Sequence, residues 1–268
     1  MRLIRALMLA ILSAAIASAI VYFAVVRPRV RKWGLDPAET ELPLPGDDLI
    51  AEPSHVETRG VNIDAPPAQV WPWLVQMGFG RAGWYSYDVL DNKGPSVEGI
   101  LPEFQSLNVG DIVPTHPGGG LLVKTIDPER ALVLYTDTAL LRSQAEKAQR
   151  EGRSEAAEMP TLGLKATDAM LTASFPEITA SWAFILQPED GRTRLIERLR
   201  VKTPGSGPAT AVFGEIMGTG IVLMTRKQML GIKDRVERFE FGLPEEPVTL
   251  NEAIEPLGPT APEEAPIS

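Results

Sequence analysis

The beginning of this 268-residue chain limits it most: from Ala6 to Val26, 21 consecutive residues carry no charge and are mostly Ala, Leu, Ile and Val. A helix rising about 1.5 Å per residue makes that run roughly 31 Å long, the thickness of a bilayer's hydrocarbon core. Tyr22 and Phe23 lie near its end, and Arg27-Pro28-Arg29 follows with cations and a helix breaker. A cleaved signal peptide shares some of these ingredients, with Arg2 and Arg5 ahead of the run and Ala17-Ser18-Ala19 within it. Yet apolar residues continue through Ile20–Val26, and Arg27, Arg29, Arg31 and Lys32 come directly after. That pattern suits an uncleaved anchor. No polar stripe marks the run as a soluble amphipathic helix. The expectation is one transmembrane helix at residues 6–26, within an anchor of residues 1–32, making a single-pass cell-membrane protein. Cation counts on the two flanks lean the rest of the chain toward the cytoplasm.

Charge and composition exclude several classes of function. Residues 1–32 hold six basic and no acidic side chains, and residues 241–268 hold six acidic and no basic ones. These cancel, so the intervening 208 residues carry the whole formal charge of −9. Such a body lacks the basic footprint of a nucleic-acid binder. With no cysteine there is no disulfide, thiol nucleophile or thiolate metal site, and two histidines, His55 and His116, are too few for a multi-histidine centre. Neither a metal nor a cofactor is expected.

The remainder divides by composition. Residues 33–54 are acidic and Pro-rich, an extended linker or an arm lying on the surface. Val56–Ile63 reads as a strand, and Asp64-Ala65-Pro66-Pro67 opens a helix whose Val70, Trp73, Leu74 and Met77 share one apolar face, with Pro72 inside it. Trp84–Asn92 reads as a second short helix. Gly110–Pro114, Leu121–Ile126 and Ala131–Thr136 are short β-rich runs. Ile178–Leu186 alternates apolar and polar residues, and Gly191 turns it back into Thr193–Lys202. Ala209–Phe239 is one long helix, and residues 241–268, with six prolines and six glutamates, form a disordered tail. Residues 139–172 interrupt the strand series, carrying Glu146/Arg150 and Lys147/Glu151 at helical spacing. Such an insertion is either a functional flap or a loose excursion.

This order gives an α+β fold. The segments Ile63–Gly78 and Gly83-Trp84-Tyr85-Ser86-Tyr87-Asp88 resemble the bacterial SRPBCC superfamily, which includes START, polyketide cyclase and Bet v 1-like proteins. Pro102-Glu103-Phe104-Gln105, Val109-Gly110-Asp111, Ser181-Trp182-Ala183-Phe184 and Thr193-Arg194-Leu195 look like the same branch, and the likeness spans roughly residues 33–240 outside the insertion. The resemblance implies a helix-grip domain over residues 55–240: a curved antiparallel sheet around the long C-terminal helix, enclosing an apolar cavity. Its members bind lipids, sterols, polyketides or hormones, and a minority are enzymes.

Function is then expected to be membrane-tethered binding of a lipid or other hydrophobic small molecule. A cyclase, hydratase or hydrolase acting in the same cavity, or a structural subunit of a membrane complex, are the alternatives. Trp84, Tyr85 and Tyr87 are placed at the cavity mouth by the resemblance. Trp182 and Phe184 share a strand face with Leu186. Arg194, Arg198 and Arg200 share the other pattern of the last strand with Ile196, facing solvent or, at Arg198, anchoring an anionic headgroup. On the long helix, Phe213, Met217, Gly220, Ile221 and Met224 form a stripe whose glycines and methionines suit a ligand wall as well as close packing. No catalytic motif is identifiable. Glu103, Asp111 and Glu197 are carboxylates with no spacing that brings them together, and His55 and His116 read as solvated. Gly78-Phe79-Gly80-Arg81-Ala82-Gly83 matches a dinucleotide fingerprint in letters, but a helix precedes it, so it reads as an inter-helix turn.

Overall fold

The computed structural model describes residues 8, 13–14, 17–18, 20–92, 94–116, 119–151, 157–159, 164–166, 178–203 and 208–240, with the side chains of 23, 26, 28, 30, 145, 148–149, 157–159, 164–166, 208–221 and 240 excluded. Nine of the 21 residues of the 6–26 run and all of the 241–268 tail lie outside the described residues. Among the described residues no helix is long and apolar enough to cross a membrane. The chain enters through a wide helical turn, Tyr22–Val26, continued by Arg27–Arg31.

Six strands form one antiparallel sheet: β1 (His55–Ile63), β2 (Ile112–His116), β3 (Gly119–Asp127), β4 (Ala131–Asp137), β7 (Thr179–Glu189) and β8 (Arg192–Lys202), in the order β1-β8-β7-β4-β3-β2. Two short strands, β5 (Ala157–Met159) and β6 (Leu164–Ala166), pair separately. The tightest hairpin joins β7 to β8, where Glu189 faces Arg192 across Asp190-Gly191. Both turn residues have positive φ, 47° and 81°, the backbone a two-residue hairpin loop requires and the Asp-Gly pair tolerates. Helix α1 (Pro67–Val75) begins after extended Pro66 and carries Pro72 inside it. Helix α2 (Asp88–Asp91) is only the core of the anticipated Trp84–Asn92 helix. Helix α3 spans Thr138–Arg150 and helix α4 spans Pro208–Glu240.

Period-two alternation assigns each strand an inner and an outer face. The inner face packs under α1 and α4, gathering Val61, Ile63, Val123, Leu132, Leu134, Phe184, Leu186 and Leu195 with Trp73, Met77, Met229, Ile232 and Val236. The four residues predicted to share one face of α1 and its continuation, Val70, Trp73, Leu74 and Met77, are all buried there.

The outer face is covered by residues 33–54, which form an arm lying on the surface. Leu44, with Leu35 and Leu49 beside it, packs on Ala131, Val133, Ala183, Ile185 and Ile196 as a second apolar core. Three arginines of β8 pin it. Arg194 holds Glu39 through two 2.7 Å hydrogen bonds. Arg198 donates to Asp47 and to the Leu42 carbonyl, both at 2.7 Å, and Arg200 donates to the Ile50 carbonyl and to Asp47. This arginine row therefore faces neither solvent nor the inner face of the sheet. Spaced four and two residues apart on one face of the strand, its members meet an acidic segment about 150 residues earlier.

The insertion begins as a docked helix. Asp137 accepts the Leu140 N–H at 2.7 Å at the start of α3, and Gln144 accepts the Gly120 N–H at 2.9 Å, tying α3 to the β2–β3 turn. Glu146 and Arg150 form the exposed pair their spacing predicts, at 3.2 Å. Gly78 and Gly83 bridge one another in a tight turn, with φ of 134° and 84°, and among the described residues no βαβ unit surrounds them.

Candidate functional site

Charged residues occupy the inner face at its β1–β8–β7 corner. On β1, His55, Glu57 and Arg59 follow the same alternation that puts Val61 and Ile63 in the core. On β8, Glu197 alternates with buried Leu195 and Leu199, directly opposite Arg59 across the β1–β8 ladder. Arg59 and Glu197 are both 0% exposed, and Glu57 is 1% exposed. Burying such groups is costly unless they are paired, because a low-dielectric surrounding penalises every isolated charge.

Pairing is extensive but incomplete. Arg59 Nη2 donates to Glu57 Oε2. Glu57 Oε1 lies 2.6 Å from His55 Nε2, and His55 is half-buried at the edge. Arg59 Nη1 stands 3.5 Å from Glu197 Oε1, an ion pair without a hydrogen bond. Trp182 Nε1–H donates to that same Glu197 oxygen at 2.8 Å. Arg59 Nε, Arg59 Nη1 and Glu197 Oε2 are buried with no hydrogen-bond partner. The other buried orphan atoms, on Asp91, Thr136, Gln144 and Gln228, occur one to a residue. Among the described residues, only here do three gather on two side chains that face one another.

The two carboxylates differ in chemistry. Burial pushes Glu197 up to about 7, and repulsion from Glu57 adds to this, against the opposing Arg59 charge and Trp182 hydrogen bond. Burial also acts on Glu57, but the His55 hydrogen bond and the Arg59 charge outweigh it and hold that carboxyl below the usual range. Two acids 140 residues apart in sequence thus sit at opposite ends of one guanidinium, Glu57 held ionised and Glu197 titrating near pH 7.

An aromatic wall adjoins the cluster. Trp84 stacks on Trp182 at 5.4 Å with an interplanar angle of 14°, and Phe184 lies 5.0 Å from Trp182. Trp84 and Phe184 are buried. These three of the expected ligand residues are brought together. Tyr85 is buried elsewhere: its hydroxyl donates to the Trp73 carbonyl and accepts from Gln76 Nε2, and Arg235 covers its ring at 5.1 Å. Burial raises the Tyr85 phenol pKa well above its ordinary value. Tyr85 joins the loop to α1 and α4 rather than facing Glu197. Tyr87 is exposed at the start of α2, and half-buried Met224 offers its carbonyl to Ser86 at 2.9 Å. Phe213, Met217 and Gly220 belong to α4, and their side chains lie outside the described residues. Arg198 is on the outer face beneath the arm, so it is not part of this constellation.

Among the carboxylates weighed from sequence, Glu103 and Asp111 are exposed, and only Glu197 is buried at the cluster. His55 is bonded to Glu57 instead of solvated. Arg59 and Glu57 are the residues that sequence reasoning missed. Their signal was a charged pair falling in register with Val61 and Ile63. Among the described residues no group of three or more His, Asp or Glu side chains is arranged to hold a metal ion.

No family model matches the chain, and no curated protein sequence does. Among solved structures, protein MLL2253 from Mesorhizobium loti is 15% identical with a TM-score of 0.32, the match covering 69% of this chain and 98% of that one. DynU16, encoded in the dynemicin biosynthetic locus, is 14% identical at a TM-score of 0.31, covering 70% of this chain and 48% of that one. Ara h 8.0201 is 14% identical at a TM-score of 0.25, covering 70% and 97%. Likeness at these values assigns no activity.

Proposed function

We propose that this chain is a binding module that holds a hydrophobic small molecule between the inner face of its sheet and α4. One observation carries the reading: Arg59 and Glu197, fully buried beside the Trp84–Trp182–Phe184 wall, retain unmet hydrogen-bonding capacity. Buried polar groups without partners cost about 1–3 kcal/mol each, so their natural complement is a bound molecule with a polar end. An apolar wall with a few convergent polar groups is the usual composition of a small-molecule site. The resemblance to the SRPBCC superfamily supports the same location, and in this reading residues 6–26 tether the module to a membrane.

The test is native mass spectrometry of the purified full chain, together with titration by the neutral apolar dye N-phenyl-1-naphthylamine. A co-purifying small molecule, or one saturable dye site per chain, is expected. Absence of both overturns the reading. A second reading, acid–base catalysis on the bound molecule, is favoured by Glu197, whose pKa of about 7 suits a proton donor at neutral pH. Turnover of the co-purifying molecule that is lost in Glu197→Gln separates catalysis from binding alone.

A further inference from the structure

We infer that the polar end of the bound molecule is an uncharged hydroxyl, seated between the Arg59 guanidinium and Glu197 Oε2. This rests on the binding reading above and names the ligand class. Three orphan atoms define the complement. Arg59 Nε and Nη1 are N–H donors and require an acceptor. Glu197 Oε2 is the free oxygen of a carboxyl whose other oxygen already receives Trp182 Nε1–H. A single oxygen bearing one hydrogen bridges the two side chains, accepting from Arg59 Nη1 and donating to Glu197 Oε2, while Nε–H points off the other edge of the guanidinium.

Charge excludes the other simple head groups. The guanidinium is already neutralised by ionised Glu57, which it contacts directly. A ligand carboxylate or phosphate would add an unbalanced negative charge beside two carboxyl groups in a site with 0% exposure. An ammonium group cannot accept a hydrogen bond, and it would meet the two free Arg59 N–H groups as like charge. An ether accepts from Arg59 yet leaves Glu197 Oε2 unmet whenever that carboxyl is ionised. Ordered water is the remaining occupant with hydroxyl chemistry. It lacks the apolar body that the Trp84–Trp182–Phe184 wall would cover.

Length-matched competitors decide the matter. The full chain, loaded with N-phenyl-1-naphthylamine, is titrated at pH 8 with 1-dodecanol, dodecanoate, dodecylammonium and undecyl methyl ether. Dodecanol is expected to displace the dye at a concentration at least about tenfold lower than any of the other three, the factor one charge-assisted hydrogen bond supplies. In Glu197→Leu, which leaves the Glu57–Arg59 pair intact, dodecanol should lose that advantage over the ether while the protein still melts cooperatively. If this variant does not fold, Glu197→Ala takes its place in the same comparison. Equal or stronger displacement by dodecanoate, dodecylammonium or the ether overturns the hydroxyl assignment and leaves the binding site standing. So does an alcohol advantage that survives loss of the Glu197 carboxyl. Dye binding that none of the four competes with overturns both the assignment and the site.

Discussion

At the residue scale, the buried cluster couples stability to pH with a definite sign. Glu197 titrates near 7 in the folded chain, against an ordinary carboxyl value of 4.5. Between those values the native state holds a proton that the unfolded chain releases, so stability falls as pH rises through the window and is level above it. A rise of this size corresponds to about 3 kcal/mol. Glu57 has the opposite sign, its contribution being lost only as pH drops below the usual carboxylate range. Glu197→Gln cannot ionise, so its unfolding free energy in urea should change far less between pH 5 and pH 8 than that of the parent chain. Asp91, raised to about 6 by burial, contributes a smaller fall in the same direction, and Asp91→Asn identifies that share. An unaltered pH dependence in Glu197→Gln would show that this carboxyl is not buried as described. Arg59→Met is the complementary change. It leaves two carboxyls facing each other without their cation, and should cost about 3–5 kcal/mol in the same assay. Substituting Glu57 and Glu197 by Gln as well should recover much of that loss.

At the element scale, α4 and the arm are held by different physics. Gly231 on α4 lies so close to the Tyr85 carbonyl that an added Cβ would be 2.2 Å from its oxygen. Glycine-to-alanine in an exposed helix normally stabilises by about 1 kcal/mol; here Gly231→Ala should lower the melting temperature by several degrees, since α4 must move off the loop. A neutral or raised melting temperature would mean α4 seats differently. The arm depends on ions. Asp47 serves both Arg198 and Arg200 and accepts the Leu44 N–H at 2.9 Å, so Asp47→Ala should cost about 2–3 kcal/mol. Hydrogen exchange across 33–54 should rise more than exchange in β7, and equal protection of both would refute the pinning. What the sequence revealed follows from the range of each interaction. Strands β1, β4, β7 and β8 were legible because β-rich composition and alternation are local, and the Asp190-Gly191 hairpin because turn chemistry is local. The extent of α2 was not, because loop contacts such as Ser96 with Tyr85 N at 3.1 Å decide it. The arginine row and the Glu57–Arg59–Glu197 cluster were misread or overlooked because their partners lie far away in sequence. Alternation nonetheless marked Glu57, Arg59 and Glu197 as inward-facing, a pattern that a charged residue should always raise as a question.

At the scale of the whole molecule, one sheet separates two cores, and the outer core exists only because residues 33–54 complete it. A chain beginning at His55 would uncover Ile196, Ile185, Ala183 and Val133 together with three unpaired arginines. That apolar surface should drive self-association, seen as a shift to higher mass in sedimentation velocity, whereas a chain beginning at Trp33 should remain monomeric at the same concentration. Monomeric behaviour of both would show that the outer core is dispensable. The seating of the arm also sets how far the domain can stray. Twenty-two residues of free chain, 33 to 54, would reach roughly 70 Å when extended. Trp33, however, is already fastened where the arm starts: its carbonyl accepts the Gly60 N–H at 3.1 Å and its ring lies under Arg226 of α4 at 5.0 Å. The slack is taken up entirely on the back of the sheet. A pull on the Arg27–Arg31 helix would therefore load β1 and α4 through Trp33 before it extends residues 33–54.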